Sequence, residues 1–452
     1  IDAGKVNAAS IELKNVLQKN PDNPRARLLL GKLNLETGNV AAAEKELTIA
    51  RELGVEDELI LPPMSRVLLL QGKNDEVQRL SLKNLTAKGQ AEVLSAQGQA
   101  KLAQGKETEA ALLIQQAISK DPESIHALIA SANAHARKQE FDLAREKLDA
   151  VLFIEPKSAS AWSLLGDIEL QGNNLDLAEN AYSKAIEYRL NNLADHFKRS
   201  LVRIQLKKLK EAQQDVDLVK QSSPQNAGAN YAQGLIFYQN KNYRDAVNAF
   251  EIALSNEDRY PLALFLLAAS HTLLNNLELS ENYANRFFDK APGNIAGRKL
   301  LATIKFKKQE YLEAEELIRP VTEASKEDIG ALNLLSSALI KQGRVDEAID
   351  VLAKVVALQP ESPTAQMQLG AGLMAAGEQG SGLEHLETAI QLKPDNMQAN
   401  MLLMLNYIQK KDYDAAIKAA NTYREQNPKS AAPHNLLGKV YLAANQEMEA
   451  QE

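Results

Sequence analysis

The side chains best suited to acid–base or metal chemistry in these 452 residues are six histidines: His126, His135, His196, His271, His385 and His434. No two of them are four residues apart, and none belongs to a His-Glu-x-x-His arrangement, so no helical face would carry two imidazoles to one metal. They read as surface or groove-lining residues. There is no cysteine. That removes disulfides, thiolate metal sites and a cysteine nucleophile together, and leaves the compartment open. The run Gly370-Ala371-Gly372, with Gly377, Gly380 and Gly382 after it, has the composition of a phosphate loop. It lacks the Gly-Lys-Ser/Thr ending and follows no strand, so close helix packing explains it better. Carboxylates are plentiful but dispersed, and no spacing favours a catalytic pair. The sequence therefore points away from catalysis and implies neither a cofactor nor a metal.

The bulk composition agrees with a helical, soluble chain. Ala, Leu, Glu, Lys and Gln are abundant and aromatics are only 5%, which favours helix over strand. A net charge of -7 argues against nucleic acid as a partner. No apolar run approaches the length of a membrane span. The chain opens Ile1-Asp2-Ala3-Gly4 with no Met and no signal peptide, so a trimmed N-terminus is expected.

What positions these residues is a repeat. Proline recurs in one local frame: Asn20-Pro21-Asp22-Asn23, Asp121-Pro122-Glu123-Ser124, Glu155-Pro156-Lys157-Ser158 and Ser223-Pro224-Gln225-Asn226. The frame returns at Pro292, Pro360, Pro394 and Pro428, and from Pro122 onward the spacing is 34 residues or a multiple of 34. Proline cannot continue a helix, so each frame stops one; the Ser or Asn two residues later is a good N-cap for the next. Gly38, Gly72, Gly105, Gly343 and Gly377 share the fifteenth position of a unit, which Asn173, Asn275 and Asn445 occupy elsewhere. Both residue types tolerate the left-handed conformation that closes a helix. Each unit thus reads helix A, tight turn, helix B, proline loop. Small residues mark where the two helices meet: Ala43, Ala110, Ala144, Ala178, Ala212, Ala246, Ala314, Ala348 and Ala416 at position 20, and glycines such as Gly31, Gly98, Gly166 and Gly370 at position 8.

This pattern resembles the tetratricopeptide (TPR) repeat family over the whole chain, most completely in Trp162-Ser163-Leu164-Leu165-Gly166 with Ala178, Tyr182 and Ala185. The resemblance implies an all-α fold, a TPR α-solenoid wound as a right-handed superhelix of helix-turn-helix repeats. Twelve tandem repeats are expected over 24–430, preceded by a helix-B half at 1–23 and followed by a partial repeat at 431–452. The chain then begins and ends mid-unit, as a fragment of a longer array would, with an uncovered flank around Val440 and Leu442. The unit at 58–90 is irregular. Pro62-Pro63 stands where helix A should already run, so that helix is expected to start late.

In the family, helix A lines a concave groove, and positions 2, 5, 9 and 12 share one helical face. Position 5 gives Phe197, Tyr231 and Phe265 in consecutive units; Leu235 follows at position 9 and Tyr238 at position 12. Met367, Met374 and Met401 lie on the same face further on. Two readings stay open: a patch for an extended peptide, a partner helix or a sugar face, or residues packed on one another as core. Position 6 never carries Asn, so the carboxylate clamp of TPR chaperone adaptors is not expected.

Four segments carry a narrower resemblance: Ala8 to Pro21, Ala26 to Leu47, Ala296 to Val321 and Leu436 to Ala443. They are similar to the exosortase/PEP-CTERM system TPR-repeat lipoproteins, often called PrsT. That resemblance implies a periplasmic protein, held to a membrane only through a lipid anchor not present in this chain. It would act as a scaffold in exopolysaccharide biosynthesis or export, or in protein sorting, with envelope proteins, peptides or polysaccharide as partners. A cytoplasmic adaptor or co-chaperone, or the substrate-recognition arm of an enzyme such as a glycosyltransferase, would share the same repeats.

Overall fold

The proline frames act as helix punctuation, and the side chains that carry this out can be named. Asn23, Asn226 and Asn294 each accept a hydrogen bond from the backbone N–H three residues on, at 2.9 Å, and Asn396, Ser362 and Ser124 do so at 3.2–3.4 Å. Ser158 makes no such bond. The fourth residue of each following helix often reaches back to the proline carbonyl. Arg27, Trp162, Asn230, Arg298, Gln366 and Asn400 donate to Pro21, Pro156, Pro224, Pro292, Pro360 and Pro394 at 2.8–3.3 Å. The side chains differ; what recurs is a donor of the right reach.

The computed structural model describes residues 3–189, 192–255 and 260–444, and among them the chain is 26 helices with no strand. The chain is an α-solenoid of paired helices. Tight turns close the first helix of each pair at Gly38, Gly72, Gly105, Gln139, Asn173, Lys207, Lys241, Asn275, Gln309, Gly343, Gly377 and Lys411, with φ between 59° and 92°. Five of these are neither Gly nor Asn. Hydrogen bonds on both sides hold them there: at Gln139, its own N–H donates to Ala136 O (2.9 Å) and that of Glu140 to His135 O (3.0 Å). Asn445 lies outside the described residues.

All nine alanines at position 20 are fully buried. The helices Pro363–Ala375 and Gln379–Leu392 cross most closely: a Cβ on Gly370 would lie 2.8 Å from Gly382 O, and one on Gly382 2.9 Å from Gly370 O. The glycine-rich run is thus a backbone-on-backbone crossing. Where a large residue faces the glycine, it fills the space itself. Tyr182 is fully buried under Gly166 and donates its hydroxyl to Asp167 Oδ1 at 2.8 Å.

The irregular unit differs from the expectation. Its first helix, Asp57–Leu70, begins early and runs through Pro62 and Pro63, both buried. The prolines lie in its second turn, where each removes one backbone bond, and the Ser65 hydroxyl donates to Pro62 O at 2.7 Å. The irregularity sits in the second helix, Asn74–Gln78, which is only five residues long. Beside it, the amide of Gln97 faces the carbonyls of Val77, Gln78 and Leu80 at 3.2–3.4 Å, and Gln78 Nε2 donates to Gln97 O at 2.7 Å. Near the other end Val440 is buried against Tyr423, contrary to the expected exposure, while Leu442 is exposed.

The chain divides into two compact units, Ile1–Asn242 and Tyr243–Glu452. Within each, first helices of successive pairs approach one another. Ala87–Ala103 touches Ile125–Arg137, Leu193–Gln205 touches Ala227–Gln239, and Met397–Gln409 touches Ala431–Ala443. Second helices make no comparable approach. The first helices therefore line the inner side of the local bend, and that is where a site must be sought.

Candidate binding face

In the first unit the inner face is polar toward its beginning. Arg66, Glu92 and His126 come from three successive first helices, and His126 Nε2 lies 3.7 Å from Glu92 Oε2. Burial pushes the His126 pKa down to about 4, helped by the charges of Arg66 and Lys88, although 30% of its side chain is exposed. That combination describes a ring on a concave wall: solvent reaches it, but protein crowds it. Burial also raises the Glu92 pKa, against the pull of Arg66, Lys88 and Lys32, and lowers that of Arg66. Arg189 and Glu155 act on Arg66 from far along the chain, as an inward-curving surface allows. Of the three, sequence reasoning singled out only His126. The signal that could have joined them is position: Glu92 and His126 are both second in their units.

Four of the expected binding residues lie further along the first unit. Phe197 and Leu235 pack half-buried against the cluster of Ile204, Val216, Val219 and Ile236. Tyr231 is only 9% exposed, so most of its ring is buried; Tyr238 is half-buried. A buried charge network backs the same helices. Asp215, 1% exposed, accepts from Arg199 Nη2 (2.7 Å) and Nε (3.0 Å) and from Arg203 Nη1 (2.8 Å), with His196 Nδ1 at 2.6 Å. Burial opposes its ionisation, yet the bonds from His196 and Arg199 hold its pKa below the usual carboxylate value.

The first helices of the second unit carry several exposed apolar side chains. Phe265 stacks at a tilt on Phe287, ring centres 5.4 Å apart, and lines an open cleft with Ile295, Leu300, Thr303 and Lys299, whose ammonium pairs with Asp328 at 2.7 Å. Leu262, Ile295, Ile340, Met397 and Leu405 are all exposed on first helices, as is Met401 at 37%. Of these only Met401 was singled out from sequence. Met374 packs over the backbone at Gly382, whereas Met367 lines a separate cavity. Among the described residues, no three His, Cys, Asp or Glu side chains are grouped to hold a metal, and no helix is long and apolar enough to cross a membrane.

One tetratricopeptide-repeat model matches residues 1–60, 101–168, 305–373 and 373–440, more than half of the chain; two others match 231–295 and 159–192. The chain belongs to the tetratricopeptide repeat family. Residues 61–100, which hold the five-residue helix, fall outside every TPR match. None of the curated proteins compared with the chain matches it. Among solved structures it is similar to the APC/C hetero-tetramer Cut9–Hcn1, at 14% identity over 97% of this chain and 93% of that one, TM-score 0.44. Pseudomonas aeruginosa pilF follows at 16% identity over 51% and 99%, TM-score 0.43. The MamA MSR-1 C2 structure is at 21% over 37% and 97%, TM-score 0.35. These likenesses concern the TPR fold alone. As a TPR chain the protein has the fold of a protein-interaction module, and its inner faces are the surfaces available for that work.

Proposed function

We propose that the protein is a scaffold of the bacterial cell envelope that holds partner proteins against the inner face of its second unit, in polysaccharide export or protein sorting. The observation that carries the binding role is the run of exposed Leu262, Ile295, Ile340, Met397, Met401 and Leu405 on first helices. Scattered apolar residues on a surface are ordinary, and Leu279, Leu312, Leu358 and Leu392 on second helices of this unit are exposed as well; what supports the reading is the concentration of six on the first helices, which line the inner side. The envelope setting is supported by the likeness of the segments Ala8 to Pro21 and Ala296 to Val321 to the exosortase-associated TPR lipoproteins. A photo-crosslinking residue placed at Leu405 or Ile295, in cells of the source organism, tests both parts. Cross-links to envelope proteins are expected there, and none from Phe153, an exposed aromatic on a second helix. Equal capture from Phe153 would overturn the binding face; cytoplasmic partners alone would overturn the envelope setting.

A further inference from the structure

Four of the six histidines have an oxygen facing a ring nitrogen: Glu92 for His126, Glu140 for His135, Asp215 for His196 and Gln366 for His385. His434 is exposed. His271 has neither relief. It is 3% exposed, its Nε2 is buried with no hydrogen-bond partner, and its Nδ1 faces an amide nitrogen, Asn276 Nδ2, at 3.5 Å. Its ring lies flat on that of Tyr283, centres 5.6 Å apart and planes 1° apart. The imidazole is thus sealed between the first helix Pro261–Leu273 and the second helix Leu277–Lys290.

A neutral imidazole carries one N–H and an imidazolium two. Neither nitrogen here has an oxygen to receive a second one, and a buried cation without a partner is costly. The surrounding charges do not supply what is missing. Glu251, on Tyr243–Ala253, favours the proton, but it is exposed and accepts from the Tyr283 hydroxyl at 3.5 Å. Arg286 lies 5.3 Å over the Tyr283 ring and is itself a cation. Lys305, on Ile295–Lys307, is held by Glu281, Glu310 and Glu313. Burial therefore keeps the His271 pKa below its ordinary 6.5, against the pull of Glu251. The proton can be taken up fully only when the two helices part. Their contact is sewn by hydroxyls: Ser280 stands where other units have the buried alanine, donates to Ala268 O at 2.7 Å and lies 2.7 Å from the Thr272 hydroxyl. On opening, water can replace these bonds. The same two helices carry the stacked rings of Phe265 and Phe287 beside the cleft of the binding face.

We propose that this helix pair is an acid-sensitive joint: proton uptake by His271 opens it, separates Phe265 from Phe287 and so releases what the adjoining cleft holds. The release rests on the protein-binding reading above; the opening does not, so the two can fail separately.

An opening that takes up one proton grows tenfold for each pH unit below 6.5, so between pH 7.5 and 5.0 it should grow by about tenfold to thirtyfold. Hydrogen exchange by mass spectrometry on the full chain, corrected for the intrinsic rate at each pH, reads it in peptides from Pro261–Leu273 and Leu277–Lys290. The histidine-free pair Ile329–Lys341 and Val345–Leu358 should change by less than about threefold. His271→Phe keeps a ring against Tyr283 with nothing to protonate, and should make both helices insensitive to pH. If that variant is poorly folded at pH 7.5, His271→Gln serves in its place. An acid response that persists in the folded variant, or an equal response in the histidine-free pair, would overturn the joint. A photo-crosslinking residue at Ile295, in extract of the source organism, tests the release: cross-links should fall in acid for the wild type and hold in His271→Phe. Cross-links that hold in the wild type while its exchange rises would overturn the release. Their absence at pH 7.5 would count against the binding face and leave the joint standing.

Discussion

A single glycine–tyrosine contact allows a prediction that changes sign with its surroundings. Gly166 lies within the helix Ala159–Gln171 and faces the ring of Tyr182 on Leu175–Tyr188. A Cβ at 166 would sit 2.5–2.9 Å from three ring carbons. The ring cannot swing clear, because its hydroxyl is bonded to Asp167 and Lys198 lies over it, 5.7 Å from the centroid. Gly→Ala within a helix gains about 1 kcal/mol of propensity, while forced overpacking of a rigid site costs about 3 kcal/mol, so Gly166→Ala should destabilise these helices by about 2 kcal/mol. Tyr182→Ala should cost about 3–5 kcal/mol by itself. In that background the clash is gone and the propensity remains, so adding Gly166→Ala should stabilise by about 1 kcal/mol. The coupling between the sites is then about 3 kcal/mol. Long repeat arrays need not unfold in one step, so the suitable assay is hydrogen exchange by mass spectrometry on peptides from these two helices. If Gly166→Ala has the same effect with and without the tyrosine ring, the contact is not what requires glycine there.

Other outcomes follow from the same structure. Gln139→Gly and Lys207→Gly should each stabilise their turns by about 1 kcal/mol, because a left-handed conformation costs a side-chain-bearing residue about that much; exchange rates of the flanking helices read it. Asp215→Asn should cost about 3 kcal/mol locally, since it leaves Arg199 and Arg203 without their buried partner. Tyr231→Ala should lower the melting temperature, at a cost of about 3 kcal/mol, whereas Leu405→Ser should shift stability by less than about 0.5 kcal/mol while weakening cross-linking from a residue placed at Ile295. His126 has its folded pKa depressed to about 4 from 6.5, so it is neutral in the folded chain, and the unfolded chain takes up the proton first as pH falls. Stability should therefore fall between pH 6.5 and 4, by about 1–2 kcal/mol after allowance for the exposed part of the ring. Glu92, with its pKa raised, acts in the opposite sense by losing stability as pH rises above the ordinary carboxylate range. The difference between wild type and His126→Gln isolates the histidine, and a pH profile unchanged by that substitution would refute its neutral burial.

Much of the helix pattern was legible because local chemistry writes it. Proline stops, Asn and Ser caps and the position-20 alanines each do in the structure what their types require, apart from the Ser158 cap. The left-handed turns at Gln139, Lys207, Lys241, Gln309 and Lys411 were not legible by residue type, because the register imposed by the helices on either side overrides the side chain's own preference. The prolines at 62 and 63 misled for a related reason: proline is tolerated early in a helix when tertiary packing pays for the missing bonds, and both rings are buried. The site was less legible still. Aromatics at position 5 mark the inner face, but sequence cannot say that Tyr231 turns into the interior while Met401 does not. The cavity beside Met367 is invisible in the sequence, because it consists of what Ser336, Ser337, Ala371 and Gly372 leave unfilled between two helices that are not consecutive.

The five-residue helix Asn74–Gln78 has a consequence for how the chain answers mechanical load. In a linear array each repeat is stabilised by its neighbours, so strain passes along the chain until it meets the weakest interface. Here one full helix is replaced by a single turn and a glutamine side chain bridging to the carbonyls of Val77, Gln78 and Leu80. Glu58 fastens the connecting strap by accepting from Thr86 N (2.8 Å) and Oγ1 (2.6 Å). The first helices on either side, Asp57–Leu70 and Ala87–Ala103, also pack on each other directly and bury Leu61, Leu68, Val93, Ala96 and Ala100, so load passing this point is carried chiefly by the first helices and little by the shortened second one.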